Sequence, residues 1–103
     1  MDCCTFTQWV YRQVGIDIPI PSVEQYMVGQ PIPVGDVQAG DLIFKPGAMH
    51  NFTAPDGREI GHVGIVTGEG TVVHAVMSGV RETPLAGFGR SCPRSVSACR
   101  IVG

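Results

Sequence analysis

The chain has 103 residues, a formal net charge of −2, 14 Gly, 8 Pro, 4 Cys and 44% hydrophobic residues. That length predicts one domain with a single core. The charge balance offers no basic excess to draw in nucleic acid or an anionic membrane, and no apolar run reaches the ~20 residues of a membrane-spanning helix.

In chain order, the first stretch is the most informative. Asp2 is a favourable helix N-cap and Gly15 a favourable residue just past a helix end. Between them Phe6, Val10 and Val14 recur every four positions, and Cys3 lies at the edge of the same stripe. The spacing predicts an amphipathic helix with Cys3 in its first turn. Unpaired N–H groups and the positive end of the helix dipole there favour a thiolate over a thiol. The alternative is that Cys3 is a small core residue of an ordinary packed helix. No signal peptide precedes this helix, so the expectation is export by another route, or a chain that is the mature part of a longer one.

Ile16 to Pro21 reads as extended, because residues before proline are pushed out of the helical region. Ser22-Val23-Glu24-Gln25 has the form of a capping box and predicts a second, short helix ending near Gly29. Residues 31–39 read as an irregular connection, and Leu42-Ile43-Phe44 as a short buried strand. The stretch from Lys45 to Glu59, rich in Pro, Gly, Asn and Asp, reads as a surface loop in which His50 is solvated. Two β-rich runs, Ile60 to Thr67 and Thr71 to Met77, flank Gly68-Glu69-Gly70 and predict a hairpin. A third run from Gly79 to Leu85 adds a strand ending at Pro84, and Ser95 to Val102 a last one.

With Glu69 at the centre of the hairpin, His74 lies opposite Gly64 and His62 opposite Val76. Both imidazoles then project from one face as diagonal neighbours, roughly 7–8 Å apart at the backbone. A one-residue slip would send them to opposite faces. Two histidines on one face can equally be half-buried polar residues satisfied by backbone groups. Together with the helix-start cysteine they form a more specific set: Cys3 as nucleophile, His62 as base and later acid, His74 orienting His62 through its other ring nitrogen. Cys4 is the rival nucleophile.

The cysteines do not form a disulfide framework. Cys3 and Cys4 are neighbours that cannot pair with each other without strain, and Cys92 and Cys99 could bridge in an oxidising compartment. A Cys2His2 zinc set from Cys3, Cys4, His62 and His74 is disfavoured because adjacent ligands chelate badly. The reading calls for no metal and no cofactor.

These blocks resemble the NlpC/P60 family of papain-like cysteine peptidases. Asp2-Cys3-Cys4-Thr5-Phe6 is similar to that family's Asp-Cys-Ser-Gly-Phe/Leu nucleophile motif, continued by Trp9-Val10-Tyr11 and Gly15-Ile16-Asp17-Ile18-Pro19. Ala39-Gly40-Asp41-Leu42-Ile43-Phe44 resembles its Pro-Gly-Asp-Leu-Val-Phe strand. Gly61-His62-Val63-Gly64-Ile65-Val66 and Val73-His74-Ala75 resemble its two histidine motifs, twelve residues apart. The resemblance implies an α+β fold in residues 1–103, with the N-terminal Cys helix packed on an antiparallel β-sheet as a single catalytic domain. It also implies hydrolysis of amide bonds in peptidoglycan stem peptides, often between γ-D-glutamate and a diamino acid, at the cell envelope or outside the cell.

Three departures qualify it. Cys4-Thr5 stands where Ser-Gly is common, and Pro21 precedes Ser22 where many relatives carry a polar or acidic residue that helps hold the substrate's amino end. The family's usual helix and Tyr-bearing segment before the Cys motif is absent from this chain, so the expectation is either a missing substrate subsite or one supplied by a partner or a parent-chain segment that completes the cleft. Asp2 is expected to cap the helix and is, with Ser22, a candidate contact for the substrate. Two alternatives stand beside hydrolysis: an acyltransferase or deamidase using the same triad, and a catalytically inactive wall-binding or interaction domain.

Overall fold

A computed structural model describes residues 2–47, 51–89 and 93–101. His50, Cys92 and Val102 lie outside the described residues, and with them the solvation expected of His50 and the Cys92–Cys99 pairing.

Helix α1 runs from Cys3 to Arg12 and is followed by α2, Ser22–Val28. The strands are β1 (Gln30–Ile32), β2 (Leu42–Lys45), β3 (Phe52–Thr53), β4 (Glu59–Ile60), β5 (His62–Val66), β6 (Thr71–Val76), β7 (Gly79–Pro84) and β8 (Ser97–Arg100). Six of them form one antiparallel sheet in the order β1-β8-β2-β5-β6-β7, while β3 and β4 pair as a separate ribbon. The fold is α+β, as the resemblance implies.

Alternation along the strands divides the core in two. Leu42, Phe44, Val63 and Cys99 face the layer that holds Ile18, Val23 and Tyr26 from α2 and the segment before it. Cys3, Cys4 and Tyr11 of α1 pack against the same cluster. Ile43, Val66 and Val72 face the other way, onto Phe88 and the turn around Leu85. Each fully buried large side chain, such as Phe44, contributes about 1.5–3 kcal/mol.

Asp2 caps α1 as expected, its carboxylate accepting from the Thr5 N–H at 2.8 Å. The helix ends sooner than the apolar spacing predicts. Gly15, at φ +81°, follows a turn in which the Ile16 N–H reaches back to the Tyr11 carbonyl. Val14 therefore leaves the stripe and is 72% exposed. The expected capping box does not form either. Pro21 occupies the cap position without a side-chain bond, and Ser22 is the first helical residue. Proline already holds a φ that suits the cap position, so the helix begins one residue earlier than the motif implies.

Two irregular stretches hold more structure than composition suggests. Residues 31–39 open with β1, which pairs with β8, and the 45–59 loop closes on the β3–β4 ribbon. Ala54 and Ile60 anchor that loop in the core. The strand expected from Gly79 is present as β7, and the final strand is confined to Ser97–Arg100. Between β8 and the residue before β2, Arg100 donates through Nε and an Nη to the two carboxylate oxygens of Asp41, both at 2.9 Å. Burial works to raise the Asp41 pKa, but these bonds and the Gln38 N–H hold it below the ordinary carboxylate value.

Candidate active site

The α1 start lies against β5 and β6. Cys3 is half-buried, with Sγ 3.9 Å from the Gly61 carbonyl oxygen. Its thiol is pushed down to about 4, first by the Cys4 thiol as hydrogen-bond partner and then, against the opposing effect of burial, by His62 and the Val63 backbone N–H. Cys4 moves the opposite way: its bond to Cys3, its burial and the Asp2 carboxylate 3.4 Å from its sulfur all raise its pKa. Two adjacent thiols cannot both ionise, and the site favours the charge on Cys3.

The hairpin register is the one expected. Ile65 pairs with Val73 and Val66 with Val72, and no further β5–β6 pair occurs among the described residues. Beyond that ladder the two imidazoles meet directly, His62 Nε2 to His74 Nδ1 at 2.7 Å. With Nε2 engaged, His62 has Nδ1 left for Cys3. His74 is 7% exposed, and its own Nε2 lies 2.8 Å from Thr83 Oγ1 on β7. Burial lowers the His74 pKa to about 4, helped by the nearby charges of His62 and Lys45, so this ring is neutral at pH 7.

Phe88 is a wall for both rings. It stacks on His62 at 5.9 Å between centroids and meets His74 edge-on at 5.4 Å. Lys45, which pairs with His62 across β2 and β5, places Nζ 4.7 Å from the Phe88 ring centroid. Thr83, Phe88 and Lys45 were not singled out by the sequence. For Thr83 a signal existed: a short turn between β6 and β7 pairs Val72 with Thr83 and His74 with Arg81. That puts Thr83 diagonal to His74. Phe88 closes the short 3-10 turn Leu85–Gly87, a stretch with no periodicity to mark it in the sequence.

The remaining candidates are placed differently. Asp2 spends its carboxylate on the helix cap and the Cys4 thiol. Ser22 is 4% exposed at the start of α2, and no hydrogen bond among the described residues joins it to Cys3 or His62. Among the described residues, no group of three or more His, Cys, Asp or Glu side chains is arranged to hold a metal ion, and no helix is long and apolar enough to cross a membrane.

A thiolate at a helix start beside two linked imidazoles is a constellation on which nucleophilic cysteine chemistry can be built. The chain matches the NlpC/P60 family over residues 1–91, and it belongs to that family. It is 42% identical over 86 residues to a probable endopeptidase of Corynebacterium glutamicum, covering 82% of this chain and 34% of that protein. It is 32% identical over 79 residues to the gamma-D-glutamyl-L-lysine dipeptidyl-peptidase of Bacillus subtilis, covering 76% and 24%. The chain thus spans about a third or less of the length of these relatives. Among solved structures, the NlpC/p60 domain of the peptidoglycan hydrolase SagA aligns with TM-score 0.72 and 32% identity over 97% of this chain and 76% of that one. RipD of Mycobacterium tuberculosis, described as a non-catalytic NlpC/p60 domain protein adapted to peptidoglycan binding, aligns with TM-score 0.73 over 99% of this chain and 67% of that one. At 23% identity, that second likeness is one of fold alone.

Proposed function

We propose that this domain is a cysteine peptidase that hydrolyses an amide bond in peptidoglycan stem peptides, at the cell envelope or outside the cell. Within that class the favoured bond joins γ-D-glutamate to a diamino acid, the chemistry named for the Bacillus subtilis relative. The observation that carries the reading is the 2.7 Å bond between His62 Nε2 and His74 Nδ1 beside Cys3, the first residue of α1, whose thiol pKa is pushed down.

The Cys3 thiolate attacks the amide carbonyl carbon, forming an S–C bond and moving the carbonyl electrons onto oxygen. The Cys3 backbone N–H, one of the helix-start donors without an intrahelical partner, and a neighbouring donor hold that oxyanion. Collapse breaks the C–N bond, and the amine leaves with a proton from His62. Water, giving its proton back to His62, then attacks the thioester, releasing the carboxylate and restoring the thiolate. His74 orients His62 and stays neutral throughout. A partner, or a further segment of a longer parent chain, completes the cleft, in keeping with the share of its relatives that this chain spans.

Digestion of purified peptidoglycan followed by mass analysis tests this. New amine and carboxyl ends at the γ-D-glutamyl bond, lost in Cys3→Ala, are the expected result. An acyl group found on an acceptor other than water points to transfer. Wall binding without cleavage by the unaltered protein overturns the peptidase reading.

A further inference from the structure

The two bonds made by His74 are coupled in direction. A neutral imidazole carries one N–H, so one ring nitrogen donates and the other accepts. His62 Nε2 lies 2.7 Å from His74 Nδ1, and Thr83 Oγ1 lies 2.8 Å from His74 Nε2. When His62 holds both of its ring protons, as it must before protonating a leaving amine, its Nε2–H points at His74 Nδ1. A proton on that Nδ1 would face it across the same 2.7 Å, which no hydrogen bond permits. The His74 proton then belongs on Nε2, and Nε2–H requires an acceptor. Only Thr83 Oγ1 bonds to that nitrogen among the described residues.

We propose that Thr83 is a positioning residue: its hydroxyl oxygen accepts from His74 Nε2–H, fixing the tautomer in which His74 Nδ1 accepts a hydrogen bond from His62 Nε2–H. The inference rests on the catalytic reading of Cys3 and His62. The geometry supplies a reason for the hydroxyl's position, since His74 is 7% exposed and a buried Nε2–H without an acceptor is destabilising. The strand register puts Thr83 within reach, because His74 pairs with Arg81 and Thr83 lies two residues further along β7.

The titratable and charged groups around this ring are Cys3 from α1, Lys45 from β2, His62 from β5, and Arg81 and Glu82 from β7. Arg81 donates through Nε to Ser78 Oγ, and Glu82 accepts from Thr71 Oγ1. All of them are kept when Thr83 alone is changed, so a shift in titration reports the lost hydroxyl.

The test compares Thr83→Val, which keeps the shape and removes the oxygen, with Thr83→Ser, which keeps the oxygen. Nitrogen NMR of the imidazoles is expected to show His74 protonated at Nε2 in the parent protein and in Thr83→Ser, and a mixed or reversed pattern in Thr83→Val. The Cys3 thiolate, followed by the pH dependence of its alkylation, is expected to titrate at higher pH in Thr83→Val only. On a stem-peptide substrate, kcat is expected to fall by about tenfold to a hundredfold with KM unchanged, the range set by a buried donor losing its acceptor. A Thr83→Val protein that is folded by circular dichroism, with the parent's nitrogen pattern and thiolate titration, overturns the proposal. So does a Thr83→Ser protein as impaired as Thr83→Val. The NMR and alkylation measurements need no turnover. A parent protein that cleaves no wall peptide, while Thr83→Val still shifts both, refutes the peptidase reading and leaves this inference standing.

Discussion

The two ends of the β5–β6 ribbon differ in kind. At the turn end, Ile65 pairs with Val73 and Val66 with Val72, and Thr67 and Thr71 bond through their hydroxyls at 2.6 Å. At the other end the described ladder stops, and the space holds His62, His74, Phe88 and the start of α1 instead of further pairs. The turn end is held by its backbone pairs and by the buried Val66 and Val72. At the open end the two imidazoles find their partners in other side chains, His62 in His74 and His74 in Thr83. One hairpin thus supplies both a fixed base and a set of groups whose charge states depend on one another.

Breaking the open end should have the largest effect. Cys3→Ser is expected to lower hydrolysis of stem peptides by at least about a thousandfold, since it replaces a thiolate with a neutral hydroxyl; single-turnover assays with mass detection measure it. His62→Ala should follow, with a loss of about a hundredfold to ten-thousandfold, the usual contribution of a positioned acid–base group. Steady-state kinetics at saturating substrate would place that loss in kcat.

The thiolate itself sharpens the contrast through pH. With the Cys3 pKa near 4, the thiolate form is lost only as pH falls through that value, whereas an ordinary cysteine loses it as pH falls through about 8.5. Alkylation at pH 6 is therefore expected at Cys3 and not at Cys4, whose pKa is pushed up. Peptide mapping after iodoacetamide treatment reads this directly, and labelling of Cys4 instead would exchange their roles.

Gly64 marks the border between the two ends. A Cβ there would sit 2.4 Å from Val72 Cγ1 and 3.2 Å from His74 Cβ. Gly64→Ala is expected to lower stability by about 1–3 kcal/mol through overpacking and to disturb the imidazole pair as well. Urea unfolding and the Cys3 alkylation profile separate the two effects. The smallest change should come from the cap: Asp2→Ala is expected to cost about 1 kcal/mol, and Asp2→Asn much less, because the amide oxygen still accepts from the Thr5 N–H.

Outside the ribbon, Arg100→Gln tests whether the Asp41 pair secures β8. With the Asp41 pKa held low in the folded chain, the pair's contribution is present above the unfolded carboxylate value of about 3.9 and is lost as pH falls through the folded one. Thermal melts should show the variant less stable at neutral pH, with the gap to the parent closing below pH 4.

The sequence by itself determined the local parts: a capped helix beginning at Cys3, the hairpin register that puts His62 and His74 on one face, and the ordered blocks of the NlpC/P60 family. Those signals repeat over a few residues, where capping chemistry and strand periodicity act directly. It placed Val14 in the helix stripe and Ser22 at a cap, because neither spacing nor motif reports where a turn or a proline ends an element. Only the tertiary structure decided that β8 runs between β1 and β2, that Arg100 reaches Asp41, and that Phe88 and Thr83 close around the imidazoles. Asp41 and Arg100 are 59 positions apart, and Phe88 comes from a segment without periodicity, so packing alone brings them together.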